Sequence, residues 1–199
     1  AEIVTAAYNA LGLKVVYTVR PYSRLLLEVR SGRLAGGFNV TRQASTEEVY
    51  LFGREPILHA QASVYLSAKH EQVYALHAEL PLNARIGLIN GYEYGDAFEV
   101  QRHRFIEQRL NTQSQIIGML LAGRLDMAIM FDQVAAYTLG EMGLEQGALN
   151  KSFVNHRSAI YVAFSRKHPK AQWWADKLDE GLEIIKQQGV YDEIQARYQ

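Results

Sequence analysis

Cysteine is absent from the 199 residues. That absence removes disulfides, thiolate nucleophiles, Cys-ligated zinc and iron–sulfur clusters together. It does not fix the compartment, because a chain of this length buries a core that needs no covalent staples. Neither sign of charge dominates: Lys+Arg number 21 and Asp+Glu number 21, for a formal net charge of zero. Such a balance argues against gripping nucleic acid or an anionic membrane through bulk charge. Long apolar runs are missing as well. The most apolar stretch, residues 118–131, is broken by Arg124 and Asp126, and a membrane helix needs roughly 18 uninterrupted residues. There is no Gly-x-Gly-x-x-Gly, no Gly-x-x-x-x-Gly-Lys-Ser/Thr, no Gly-x-Ser-x-Gly and no His-Glu-x-x-His, so the common nucleotide, hydrolase and zinc-protease signatures are excluded.

What is present is ordinary globular composition, 48% hydrophobic and 21% charged, which excludes disorder as the main state. Residues 2–11 read as a helix, with Ile3, Ala6, Ala7, Ala10 and Leu11 at helical spacing and Gly12 as its stop. The chain opens in this helical pattern without a signal-peptide profile, so an export signal has been removed or was never there. Residues 14–19, rich in β-branched and aromatic side chains, read as a strand. Pro21 opens a helix whose stripe is Leu25, Leu26 and Val29. Strands are expected over 34–40, 57–67, 85–89, 125–131 and 159–165, and a polar loop or single helical turn over 41–48. Helices are expected over 96–109, 113–122 and 133–142, from Pro169 to Gly189, and in a last short segment with Val190, Ile194 and Tyr198. Strands alternating with helices imply an α/β fold with parallel pairing.

One internal similarity organises the chain. Ser31-Gly32-Arg33-Leu34-Ala35-Gly36-Gly37-Phe38 is similar to Ala122-Gly123-Arg124-Leu125-Asp126-Met127-Ala128-Ile129, each following an apolar helix and entering a strand. It reads either as a generic helix–Gly–strand joint or as two similar α/β lobes. On the second reading the strand ends 39–41 and 130–132 correspond, and ligands of open α/β sheets sit off such carboxyl ends.

The binding candidates lie at these ends. Asn39, Thr41 and Arg42 form a run of small polar donors with one guanidinium. They suit an anionic or polar ligand head, or form a solvated loop. Asp132 either accepts from a ligand ammonium or caps the helix that follows it. In Gly91-Tyr92-Glu93-Tyr94-Gly95-Asp96, between a strand and a helix, glycines allow a tight turn, helix-start N–H groups can hold an anion and Tyr92 and Tyr94 offer stacking faces; the alternative is a plain turn. Glu93, Asp96 and Glu99 read first as acids favoured at a helix start and second as an acid–base group. Tyr22 and Arg24 follow the strand expected over 14–19; both line the same cleft, or Arg24 bridges groups within a lobe. His70 and His77, seven apart, lack an evident third metal ligand.

The order of helix, Leu-Gly, strand, aromatic-x-Arg, helix, Gly-Arg-Leu, strand, Thr-rich loop and Phe-x-x-x-Pro resembles the first lobe of the family 3 extracellular solute-binding proteins. Ile86-Gly87-Leu88-Ile89-Asn90-Gly91-Tyr92, Leu121-Ala122-Gly123-Arg124-Leu125-Asp126 and the tail from Phe164-Ser165-Arg166-Lys167-His168-Pro169 to Ile194 resemble its second lobe and closing helices. The resemblance implies the α/β, two-lobed type II periplasmic-binding-protein fold with two crossover hinge strands, the first strand of lobe 1 missing. Lobe 1 would be residues 1–67 and 162–199, lobe 2 residues 68–161. It further implies a non-enzymatic, monomeric, periplasmic protein with no cofactor, closing its hinge on a polar solute such as an amino acid and serving an ABC transporter permease. Tyr22, Asn39, Thr41 and Arg42 would supply one lobe's ligand contacts, and Tyr92, Glu93, Tyr94 and Asp132 the other's. The sensor domain of a membrane histidine kinase or cyclic-di-GMP enzyme is the second function this resemblance admits, and a dehydratase-type enzyme a third. The pattern departs from the family in four places. Its first strand is absent, Ala35 replaces the joint Asp, Ala44 and Val49 occupy the two positions where the carboxylate-clasping Arg is expected, and Asp132 stands one place later than the family's ammonium-binding Asp.

Overall fold

The computed structural model describes residues 1–69, 72 and 74–197, so His70 and Tyr198 lie outside the described residues. The chain forms two compact units. Unit 1 is Ala1–His59 with Ala159–Gln199, and unit 2 is Ala60–Ser158. Among the described residues no helix is long and apolar enough to cross a membrane.

Unit 1 holds α1 (Glu2–Asn9), α2 (Tyr22–Ser31), β1 (Gly36–Thr41), α3 (Ala44–Glu47) and β2 (Tyr50–Phe52), and its second segment ends with α7 (Ala171–Gln187) and α8 (Val190–Ala196). The long strand β7 (Leu149–Ser165) and the strand β3 (Leu58–Ser67) each pass from one unit's residues to the other's. The end of β7 is the middle strand of unit 1: β1 pairs antiparallel with it from Gly36↔Phe164 to Thr41↔Ile160, and β2 from Tyr50↔Ser165 to Phe52↔Ala163. Pro21 serves as the N-cap of α2, its fixed φ suiting a helix entrance. The helix then lays Leu25, Leu26 and Val29 on Val40, Tyr50 and Ala163. On the other side α1 buries Ile3, Val4, Ala7 and Tyr8 along α7, and Tyr8 donates its hydroxyl to the Trp174 carbonyl at 2.8 Å.

Unit 2 adds β4 (Arg85–Ile89), α4 (Asp96–Gln101), β5 (Ile106–Leu110), α5 (Gln113–Leu121), β6 (Met127–Phe131) and α6 (Asp132–Glu141). Its strands lie in the order β3-β6-β4-β5. The β4–β5 and β4–β6 pairs are parallel, while β3 runs antiparallel to β6 from Ala62↔Phe131 to Tyr65↔Ala128. Between the sheet and its helices sits a core of Val64, Leu66, Ile86, Leu88, Phe98, Met127 and Ile129. Thr112 and Gln115 form a reciprocal capping box that starts α5, satisfying two N–H groups that a helix start otherwise leaves unpaired.

The repeated joint is a shared local structure. Gly32 after α2 and Gly123 after α5 both take left-handed backbone, φ +83° and +67°, a conformation that favours glycine, and both lead into strands. The two joints differ where the sequences differ. Asp126 accepts from the Arg85 main-chain N–H at 2.7 Å and from the Arg85 guanidinium at 2.6 Å, tying β4 to the entry of β6. Ala35 offers no such carboxylate.

Four expectations need correction. Residues 14–19 form no strand, and Val16 and Val19 are 92% and 93% exposed. They have no strand partner among the described residues, and β-branched side chains alone do not make a strand. The helix expected over 96–109 ends at Gln101, and Ile106–Leu110 becomes β5 because its main chain pairs with β4 in continuous register from Arg85↔Ile106 to Ile89↔Leu110. The strand expected to begin near 159 begins at Leu149. Pairing is mixed rather than parallel throughout, since β1, β2 and β3 all run antiparallel to their partners.

Candidate functional site

Asp132 opens α6 directly after β6, where a carboxylate is favoured by the helix dipole. Strand alternation places Gln61, Ser63 and Tyr65 on one face of β3, next to β6. Gln61 donates from Nε2 to Asp132 Oδ2 at 2.8 Å, and the Tyr65 hydroxyl donates to Oδ1 at 3.0 Å. Lys151, from β7, places Nζ 2.8 Å from Oδ2. Ser63 Oγ, wholly buried on the same face, adds to the field at this carboxylate without completing a hydrogen bond. Burial by itself would raise the Asp132 pKa; Lys151 and the neutral donors outweigh it and hold the carboxyl below its ordinary value. Burial and the neighbouring carboxylate push the Tyr65 phenol up, so its proton stays in place as a donor. Gln61 also accepts from Arg157 Nε at 3.1 Å. Lys151, Asp132, Gln61 and Arg157 thus form one polar chain within unit 2.

The turn over 91–96 divides into a buried and an outer part. Tyr94 is 2% exposed. Its hydroxyl accepts the Ile89 main-chain N–H at 2.6 Å, and its ring packs edge-on to Phe98. It is a core residue that anchors the turn, in place of the ligand-stacking face expected of it. Tyr92 is half-buried, edge-on to Phe131 at 5.9 Å, and Arg109 donates to its carbonyl at 3.2 Å. Glu93 is exposed. The helix that follows the turn, α4, is only 6 residues long.

Behind the turn lies a histidine pair that the sequence did not bring together. His77 is buried beside Phe98 and Phe153, and its Nε2–H points at Asn155 Oδ1, 2.5 Å away. Asn155 in turn donates to the Tyr94 carbonyl at 2.8 Å and to His156 Nδ1 at 2.6 Å. The His156 ring lies edge-on to Phe131. Burial lowers the pKa of both histidines; at His77 the Asn155 hydrogen bond opposes the shift in part. Both are therefore neutral in the folded chain at pH values where an unfolded histidine begins to charge, near 6.5. The unfolded state then binds more protons, so stability falls as pH drops below about 6.5. We expect a lower melting temperature at pH 5.5 than at 7.5, and a smaller difference in His156→Gln. A wild-type melting temperature equal at both values would refute this.

In unit 1 the structure places the other candidates on and beside β1. Asn39 is exposed at a bulge between Phe38 and Val40 and holds φ +68°, a left-handed conformation that few residues other than Gly, Asn and Asp adopt readily. Thr41 ends the strand, and its carbonyl accepts from the Thr46 hydroxyl at 2.9 Å. Arg42 bonds Glu47 Oε1 at 2.5 Å and the Gly53 carbonyl at 3.3 Å. Tyr22 opens α2 and packs on the cluster of Val29 and Val40. Arg24 pairs with Glu28 at 2.9 Å, an internal bridge. Among the described residues, no three His, Asp or Glu side chains gather as metal ligands.

Lys151, Gln61, Tyr65 and Arg157 went unnoticed as site residues. The alternation Gln61-x-Ser63-x-Tyr65 within an apolar run was a usable signal for β3. Residues 149–158, with Asn150, Lys151 and Ser152 together, carry no assigned element in the sequence reading, and nothing local marks them as strand.

No family model matches the chain, and no curated protein matches it. Solved structures do. The substrate-binding protein of an amino acid ABC transporter superposes with a TM-score of 0.80 at 19% identity, over 99% of this chain and 85% of that one. The chain has the periplasmic-binding-protein fold. An ancestral arginine-binding protein bound to arginine gives 0.82 at 15% identity over 99% and 85%. A histidine kinase sensor domain with similarity to periplasmic binding proteins gives 0.81 at 18% identity over 99% and 83%. At such identities the likeness speaks for the fold; ligand and partner have to be argued from this chain's own residues.

Proposed function

We propose that the chain is a non-enzymatic binding protein for a small polar solute, an amino acid or similar, and delivers it to an ABC transporter permease outside the cytoplasm. The observation behind the reading is the superposition on an amino acid transporter's substrate-binding protein over 99% of the chain. The reading assigns ligand contact to Tyr22, Asn39, Thr41 and Arg42 from unit 1 and to Tyr92, Glu93 and the Asp132 network from unit 2. Tyr94 acts behind them by fixing the turn. The protein is proposed to work as a monomer.

The test is a thermal-shift panel of amino acids, small peptides and organic acids. Ligand at 100 times its Kd adds about 2.7 kcal/mol, which at this size raises the melting temperature by roughly 5–10 °C. A panel in which no member moves the melting temperature would overturn the solute-binding reading.

The superposition on a histidine kinase sensor domain favours a second reading, the ligand-sensing domain of a membrane signalling protein. The full reading frame separates the two. A membrane helix and a signalling domain downstream select the sensor; a stop codon there, with a signal peptide upstream, selects the transporter component.

A further inference from the structure

Resting on the solute-binding reading, the arrangement around Asp132 specifies what kind of solute is bound. Asp132 was the candidate acceptor for a ligand ammonium, and in unit 2 that place is filled. Lys151 Nζ and Gln61 Nε2 each stand 2.8 Å from Oδ2, and the Tyr65 hydroxyl stands 3.0 Å from Oδ1. A carboxylate offers about four lone-pair sites, and three already face protein donors, one of them a full positive charge.

A ligand ammonium would have to take the one remaining site or displace Lys151, and in either case it would share the carboxylate with the Lys151 ammonium close by. Like charges that close disfavour each other. The second cation on the network, Arg157, adds to that repulsion. It reaches Asp132 through Gln61, whose Oε1 accepts from Arg157 Nε at 3.1 Å. Lys151 and Arg157 are six residues apart on β7, so strand alternation puts them on the same face. One carboxylate against one ammonium and one guanidinium leaves this chain of side chains with a surplus positive charge. Both cations are exposed, while the carboxylate between them is only 22% exposed. The exposed part of this group of side chains is thus the cationic one. In unit 1 the guanidinium of Arg42 is likewise engaged by Glu47. Asp132 and Arg42, the two charges expected at the strand ends, thus each already have an opposite charge of the protein against them.

We propose that Lys151 is the standing cationic partner of Asp132, and that the solute is an anion without a free ammonium, a carboxylate met by Lys151 and Arg157. Asp132 then positions and charges Lys151 and does not touch the solute's amine.

The experiment is calorimetric titration of wild type, Lys151→Met and Lys151→Arg with two probe sets, the dicarboxylates succinate and glutarate and the zwitterions L-glutamine and L-arginine. The expected result is that wild type binds a dicarboxylate and neither zwitterion, that Lys151→Met weakens dicarboxylate binding at least tenfold, and that Lys151→Arg restores most of it. Lys151→Met, with Asp132 released, is expected to gain measurable zwitterion binding. Lys151 is half exposed, so the variants fold, which their melting temperatures check. Wild type that binds a zwitterion as tightly as Lys151→Met does overturns this inference and leaves the solute-binding reading standing. Wild type that binds neither set also overturns it, and the wide thermal-shift panel then decides the solute-binding reading separately.

Discussion

Replacing Gly181 with alanine is expected to destabilise the protein by about 2 kcal/mol, against the helix propensity of the two residues. Gly181 lies inside α7 and is buried. A Cβ there would stand 2.1 Å from the Ala7 carbonyl oxygen and 2.6 Å from its carbon. Those atoms belong to the backbone of α1, so no rotamer change relieves the contact; the two helices have to separate. Separation loosens Ala7, Ile3, Val4 and Tyr8, which α1 buries, and strains the Tyr8 hydroxyl bond to Trp174. Overpacking of this kind costs about 1–3 kcal/mol and sometimes more, and a main-chain obstacle belongs at the upper end. Propensity works the other way, since alanine in a helix interior is favoured over glycine by about 1 kcal/mol. The clash wins, and the net loss corresponds to roughly 4–8 °C at this chain length. Gly181→Val gains less propensity and adds branching, so it should fall further. A melting temperature raised by Gly181→Ala would show that α1 and α7 do not cross this closely.

The same contest between local preference and tertiary partner explains what could be read from the sequence. The helices α1, α2, α5 and α7 were legible because each carries its apolar stripe and its stop signal within its own residues, Gly32 and Gly123 above all. The order of elements was legible for the same reason, and it led to the fold that the superpositions show. Strands fared worse because a strand is defined by its neighbour. Residues 14–19 have the composition of a strand and no partner among the described residues. Residues 106–110 and 149–158 have mixed composition, and become β5 and the first part of β7 only because another strand lies beside each, β4 and β3.

The candidate site follows that division. Asp132 and Arg42 could be singled out as charges at strand ends. That each is already paired could not, because the pairing depends on how the intervening chain folds. Glu47 is five residues from Arg42, across the single turn of α3. Lys151 is 19 residues from Asp132, and Tyr65 is 67. The departures from the solute-binding pattern, Ala44 or Val49 at the expected clasp and Asp132 one place late, were legible as anomalies. Their physical meaning needed the geometry: the shift puts Phe131 at the end of β6, edge-on to Tyr92 and His156, and turns the carboxylate toward β3 and Lys151.

The second large effect is expected at Asp179, and it separates two explanations of one cluster. Asp179 is 3% exposed on α7. Its carboxylate accepts the main-chain N–H of Arg54 at 2.9 Å, that of Glu55 at 3.2 Å and the Arg54 Nε at 3.3 Å. These bonds tie α7 to the segment leaving β2, which approaches so closely that a Cβ on Gly53 would stand 2.5 Å from Oδ1. The cluster can be read as a salt bridge or as a carboxylate that caps a turn. The Arg54 side chain is 84% exposed, so solvent screens its charge and its pairing with the buried carboxylate contributes at most about 1 kcal/mol. The two main-chain donors are different: left without an acceptor, each costs about 1–3 kcal/mol. Asp179→Ala is therefore expected to cost about 3 kcal/mol, read by chemical denaturation, and Arg54→Ala less than about 1 kcal/mol. Asp179→Asn should fall near Asp179→Ala, because its amide keeps one acceptor oxygen but sets an NH2 against donors. If Arg54→Ala proved as damaging as Asp179→Ala, the ion pair would be the working interaction and the capping account would fail.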